Sequence, residues 1–242
     1  MTIPPMPHGR WVRAVSDQLL HSGDGHVLAA MLSHTSATSL LLYDSATLPG
    51  EMLGNPGFET AGAGGADIWG SWTETAGDGA LANETVSVHG GSDAAKVTAG
   101  ALLNTQVAQA LAVVPGLEYT LSFWTRGDGT NDGRYRLVNT STGAAVIATA
   151  STGVTGTSYT EVSVLFTPPA GCTEVRLDFM CPGVDTGIAY YDDASVLLNA
   201  SYRINVNANE TAFEDFSPFG GLPFRVGVWA DWTAGVASVL ID

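Results

Sequence analysis

Along most of the chain apolar and polar residues alternate with a period of two, and glycine or proline breaks the alternation roughly every 8 to 15 residues. TEVRLDFM, residues 173–180, shows the pattern plainly: Val175, Leu177 and Phe179 alternate with Glu174, Arg176 and Asp178, as in a strand with one buried face. The same reading predicts strands at 27–33, 38–43, 84–88, 93–98, 105–113, 117–126, 134–139, 145–150, 159–167, 173–180, 188–198, 202–206, 224–230 and 235–241. No stretch makes a convincing amphipathic helix, and VRAVSDQLLH at 12–21 predicts at most a turn or two. The expected class is all-β, as a sandwich or jelly roll.

The two ends of the chain resemble each other more than either resembles the middle. HVLAAMLSHTSATSLLLYDSAT near the start reads as strand, polar turn, strand, and VGVWADWTAGVASVLID at the end reads as the same pair. Each end offers only about 45 residues, too few to bury an independent core. The expectation is therefore one small β-sandwich built from 1–53 plus 200–242, with a jelly-roll domain, 54–199, inserted into one of its loops. Such an insertion is tolerated when its own termini lie close together.

Composition removes several function classes. Of 242 residues, 45% are hydrophobic, enough apolar surface to offset the entropy of ordering. The formal net charge of −15, with Lys96 the single lysine, lacks the basic footprint that nucleic-acid binding requires. No apolar run approaches the roughly 18 residues of a membrane span, and MTIPPMPHGRWVRAVSDQ lacks the apolar stretch of a signal peptide. Cys172 and Cys181 flank a predicted strand; nine residues at about 3.3 Å each hold them roughly 30 Å apart, against the 7 Å or so that a disulfide allows between Cα atoms. They are expected to be free thiols.

Six motifs in fixed order give the middle segment a resemblance. NPGFE at 55–59, the pair Trp69 and Trp72, VHGGSDAAKVTAG at 88–100, PGLEYTLSFWTRG at 115–127, YTEVSVLFTPPAGCTEVRLDF at 159–179 and YYDDASVLL at 190–198 resemble carbohydrate-binding modules of families four and nine. The resemblance implies a jelly roll that binds a glycan without cleaving it, often with a structural calcium. It maps the calcium ligands onto Glu59 and Asp192, with Asp193 as the alternative; hard cations want several such oxygens. The outer pieces, SGDGHVLAAMLSHTSATSLLLYDSATLPG and FSPFGGLPFRVGVWADWTAGVASVLID, are similar to small β-sandwich proteins of tailed-phage virions. That resemblance implies assembly in the host cytoplasm, a place on the virion surface and other virion proteins as partners, with a homo-oligomer left open.

Sugar rings stack their C–H faces on aromatic rings and direct hydroxyls at polar side chains, so candidate glycan contacts combine the two. Trp69 and Trp72 stand in a glycine-rich segment with few aliphatic neighbours, which reads either as an exposed platform or as a plug at the end of the sandwich. In TLSFWTR, if Leu121 and Phe123 face the core, then Ser122, Trp124 and Arg126 face outward. Arg134 and Arg136 alternate with Tyr135 and Leu137 in the same way, and Gln106 and Gln109 are candidate hydrogen-bonding partners. Asp192 has the parity of Ala194, Val196 and Leu198, so it is expected to be buried and in need of a partner.

Catalysis has little to stand on: the five histidines form no HExxH, there is no GxSxG, and GDGTNDG at 127–133 lacks the glutamate of a calcium loop and reads as a strand connection. The expected function is a non-catalytic phage virion surface protein, on capsid or tail, whose inserted domain binds host or environmental glycans. The alternatives are a module of a bacterial glycoside hydrolase, or a purely structural virion protein without ligand.

Overall fold

The computed structural model describes residues 10–14, 18–22, 25–34, 38–44, 50–102, 105–181, 187–200, 202–206, 210–215, 222–224, 227–232 and 236–241. All regular structure within them is strand. The first four strands are β1 (Arg10–Ala14), β2 (Gln18–Ser22), β3 (Gly25–His34) and β4 (Thr38–Asp44). The middle of the chain carries β5 (Ala61–Gly64), β6 (Asp67–Trp69), β7 (Thr73–Thr75), β8 (Ala80–Glu84), β9 (Ala94–Thr98), β10 (Gln106–Ala112), β11 (Tyr119–Arg126), β12 (Arg134–Asn139), β13 (Ala145–Ser151), β14 (Thr160–Phe166), β15 (Glu174–Met180) and β16 (Ile188–Leu198). The end carries β17 (Tyr202–Val206), β18 (Glu210–Asp215), β19 (Leu222–Phe224), β20 (Gly227–Trp232) and β21 (Val236–Ile241). The molecule is all-β, with a jelly roll in its middle.

The chain divides into two compact units, residues 1–50 with 198–242, and residues 51–197. In the first, strands from opposite ends of the sequence alternate within each sheet, in the orders β1-β21-β3-β18, with β19 also on β3, and β17-β4-β20-β2. Leu20, Ala30, Leu40 and Leu42 are buried there. VRAVSDQLLH is corrected here from helical turns to parts of β1 and β2. Arg10 pairs with Ile241 and Gln18 with Ala230, so pairing with strands more than 200 residues away outweighs any local helical tendency.

In the second unit two five-stranded sheets, β13-β12-β15-β10-β7 and β14-β11-β16-β9-β8, enclose the core. Period-two alternation sends Tyr135, Leu137, Val107, Leu111, Val175, Leu177 and Phe179 inward from the first sheet, and Tyr119, Leu121, Phe123 and Val97 from the second. Rings join the sheets: Phe123 lies 4.8 Å from Phe179 and 5.2 Å from Tyr135, and Phe179 stacks on Tyr191 at 4.5 Å. The unit opens and closes at one place, where Met52 N–H donates to the Val196 carbonyl at 3.2 Å and Val196 N–H donates to Glu51 Oε1 at 3.0 Å. Cys172 and Cys181 are both free and buried, and burial pushes the Cys181 thiol up to about 12. No helix of the described residues is long and apolar enough to cross a membrane.

Candidate functional site

The tryptophans of the glycine-rich segment are core residues. Trp69 is 1% and Trp72 5% exposed, which corrects their reading as an open platform. Asn55, with φ 53°, clasps the segment by donating through Nδ2 to the Thr60 and Gly70 carbonyls and accepting from Thr60 N–H. This folds Phe58 against both indoles, stacked on Trp72 at 4.7 Å and edge-on to Trp69 at 5.5 Å, while Trp72 leans on Phe179 at 5.9 Å. Each indole N–H is satisfied, Trp69 Nε1 by Asn83 Oδ1 and Trp72 Nε1 by the Asn55 carbonyl. Gln109 is corrected likewise: it lies on the inward face of β10, and its amide brackets Gly54, accepting from N–H at 2.7 Å and donating to the carbonyl at 2.9 Å. Gln106, three positions away and so of opposite parity, faces outward.

The remaining candidates fall on two different faces. Trp124 lies half-buried on the outer side of β11, with the His89 ring laid over it at 3.8 Å and 12°. Arg126, on the same side, is buried, which corrects its reading as an exposed polar neighbour: its guanidinium lies 3.5 Å over the Tyr190 ring and 5.6 Å from Tyr159. Its Nε has no hydrogen-bond partner among the described residues. Burial pushes the Tyr159 phenol up to about 12.

Gln106 and Arg136 belong to the outer face of the opposite sheet. There β12 and β15 pair Arg136 with Asp178, and Asp178 is fully buried between two guanidinium groups. It accepts from Arg136 Nε at 2.6 Å and from Arg176 Nε and Nη2 at 2.6 and 2.9 Å. Arg136 Nη2 reaches Gln106 Oε1 at 3.3 Å. One carboxylate thus fixes two planar donor groups whose side chains remain 31% and 40% exposed. The pair flanks an open cleft of about 320 Å³ lined by Arg136, Val138, Asn139, Thr140, Gly143 and Arg176. Sequence reasoning passed over Arg176 and Asp178 although it had assigned them to the polar side of their strand; only the β12–β15 register places them beside Arg136.

Glu59, Asp192 and Asp193 converge on residues 89–93. Glu59 accepts from Ser92 and Asp93 N–H, Asp192 from His89, Gly90 and Asp193 N–H, and His89 Nδ1 lies 2.6 Å from Asp193 Oδ2. Gly91 has φ 58°, a left-handed backbone that favours glycine, and a Cβ there would displace the Glu59 carboxylate, falling 2.0 Å from its Oε1. Burial pushes the Asp192 carboxyl up to about 6, although three N–H donors oppose the shift. Asp192 is fully buried, as are Ala194 and Val196, which agrees with the expectation that it is buried and needs a partner; its partners are N–H groups of the loop at 89–90 and of Asp193, where φ of 42° interrupts the regular strand. Among the described residues no three of His, Cys, Asp and Glu stand as a group able to hold a metal ion. The carboxylates alone make no calcium cage, and backbone carbonyls would have to complete it.

A family model described as a carbohydrate binding domain matches residues 50–186. Similar solved structures include TmCBM61 in complex with β-1,4-galactotriose, at 16% identity over 62% of this chain and 99% of that one with a TM-score of 0.47. A protein described under CBM4 structure and function has 19% identity over 61% and 99% at 0.45. The enzymatically active domain of Bacteriophage CBA120 tailspike protein 4 has 18% identity over 61% of this chain and 21% of that one, also at 0.45. At such identities and scores none of them bears on ligand. No curated protein matches the chain.

Proposed function

This chain belongs to the carbohydrate binding domain family, a family of non-catalytic modules, and we propose from that premise that residues 51–197 bind a glycan across the outer face of β12, β15 and β10. The observation that carries the reading is the cleft beside Arg136 and Arg176, whose guanidinium groups are held by Asp178 and still present donors to solvent. Sugar hydroxyls need such fixed planar donors, and the opposite face offers less: His89 covers Trp124, and Arg126 is buried. A structural calcium held by Glu59 with Asp192 or Asp193 belongs to the same proposal, supported by the convergence of these carboxylates on one loop.

The unit formed by the chain ends is proposed as an attachment and assembly domain on a phage virion surface. What supports this is the likeness of the two end segments to virion β-sandwich proteins and the pairing of strands from the two ends of the chain with one another. A module working beside a glycoside hydrolase is the second reading, which family membership alone supports equally. Screening a multivalent display of the chain on a glycan array tests the binding claim, with the hits titrated against Arg136→Ala, Arg176→Ala and Trp124→Ala. Loss with the arginine variants and retention with Trp124→Ala is expected. Retention with both arginine variants places the site elsewhere, and an array without hits removes the claim.

A further inference from the structure

We propose that the glycan taken at this cleft is acidic, a saccharide whose carboxylate or sulfate oxygens dock on Arg136 and Arg176; the inference rests on the glycan-binding reading above. The donors decide the ligand class. Asp178 occupies Nε of Arg136 and both Nε and one Nη2 hydrogen of Arg176, and Gln106 occupies Nη2 of Arg136. Nη1 of each arginine keeps its hydrogens unclaimed among the described residues, on two groups that flank the same cleft. One buried carboxylate against two guanidinium ions leaves a local excess of one positive charge, in a chain whose formal net charge is −15. Arg134 is matched by Asp132 at 3.4 Å, and Glu174, exposed two residues from Arg176 on the same strand face, does not line the cleft.

What the cleft lacks points the same way. A neutral sugar is held chiefly by stacking on aromatic rings, and none of Arg136, Val138, Asn139, Thr140, Gly143 and Arg176 supplies one. Asn139 is also partly committed, its Oδ1 accepting from Ser141 N–H at 3.0 Å. Two rigid guanidinium groups offering paired N–H donors match the planar oxygens of a carboxylate or the face of a sulfate far better than a single hydroxyl. At physiological salt the Debye length of about 8 Å screens the distant acidic surface, so contacts inside the cleft set the selectivity.

The test titrates the full chain at fixed physiological salt with three probes: oligogalacturonate, the same oligomer with its carboxyl groups reduced to neutral galactose, and a sulfated galactose oligomer. At least one acidic probe should bind tenfold or more tightly than the neutral one. Arg136→Ala and Arg176→Ala should each weaken that binding about tenfold or more, and Arg176→Lys, which keeps charge without the paired donors, should fall between. Preference for the uronate identifies a carboxylate ligand, and preference for the sulfated oligomer a sulfate. Circular dichroism checks each variant's fold, and the lysine variant decides if an alanine variant unfolds. Neutral binding as tight as acidic, yet lost with the arginines, overturns the acidic inference and leaves the glycan reading standing. Failure of both acidic probes to bind, or binding indifferent to the arginines, overturns it as well, and only an array empty of hits removes both.

Discussion

Trp72 touches Phe58 and Phe179, residues 14 and 107 positions away in the sequence, and these contacts explain why two tryptophans stand in a glycine-rich stretch. Trp72→Ala should cost about 3–5 kcal/mol, the usual loss for a large ring cut from a packed core, and should lower the melting temperature without a specific effect on glycan affinity at temperatures where the fold persists. Thermal melting and titration of the same variant check both halves. Asp128 gives a pH-dependent counterpart. Desolvation raises its pKa, but N–H donors from Asn131, Thr130 and Ile188 outweigh that and hold the carboxyl at about 2. Its folded pKa lies below the unfolded one, so its stabilisation is present above about pH 4 and is lost as pH falls toward 2. Asp128→Asn should therefore lower stability at neutral pH by about 1–2 kcal/mol and flatten the acid limb of the melting curve. At this scale the sequence disclosed the sides of β11 and β12, because alternation is local. It concealed the burial of Trp69, Trp72 and Arg126, because the groups that cover them come from distant segments. Gln109 was legible and misread: a separation of three from Gln106 already puts the two glutamines on opposite faces.

Clear alternation marked most of the longer strands, and β12, β16 and the five-residue β17 match the predicted bounds. It failed for β5, β6 and β7, which are three or four residues long and too short to show a period, and it placed the strand before His89 at 84–88 instead of 80–84. β1, β2, β18 and β19 were missed because their sequences show little alternation and their partners lie at the other end of the chain. The central position of β21 between β1 and β3 makes a sharp test of that pairing. Removing residues 236–242 should unfold the unit built from the chain ends and leave the unit at 51–197 intact. Calorimetry should then show loss of one transition with the other unmoved; loss of both would show that the units do not fold independently.

For the molecule as a whole, the bond from Met52 N–H to the Val196 carbonyl brings the ends of the binding unit together, the geometry that lets one domain sit inside a loop of another. A chain lacking 54–199, closed by a short linker, should retain β structure by circular dichroism; an unfolded product would contradict the proposal that the ends form a domain of their own. If calcium occupies the loop at 89–93, EDTA should lower the melting temperature of the intact protein and Asp192→Ala should abolish the difference, because a ligand of the native state stabilises by mass action. An unchanged melting temperature removes calcium from the proposal. The class of the fold and the kind of ligand were legible because six motifs recur in order along some 145 residues. The binding face was not, since it depends on the register of β12 against β15 and on how loops cover the other sheet. The most direct measurement is therefore an NMR titration of the 25.1 kDa chain with an array-identified glycan, read at backbone amides. Saturable shifts gathered at residues 136–143 and 174–178 are the predicted result; shifts gathered at 87–89, 122–126 and 159, with the Arg136 and Arg176 neighbourhood silent, would contradict it.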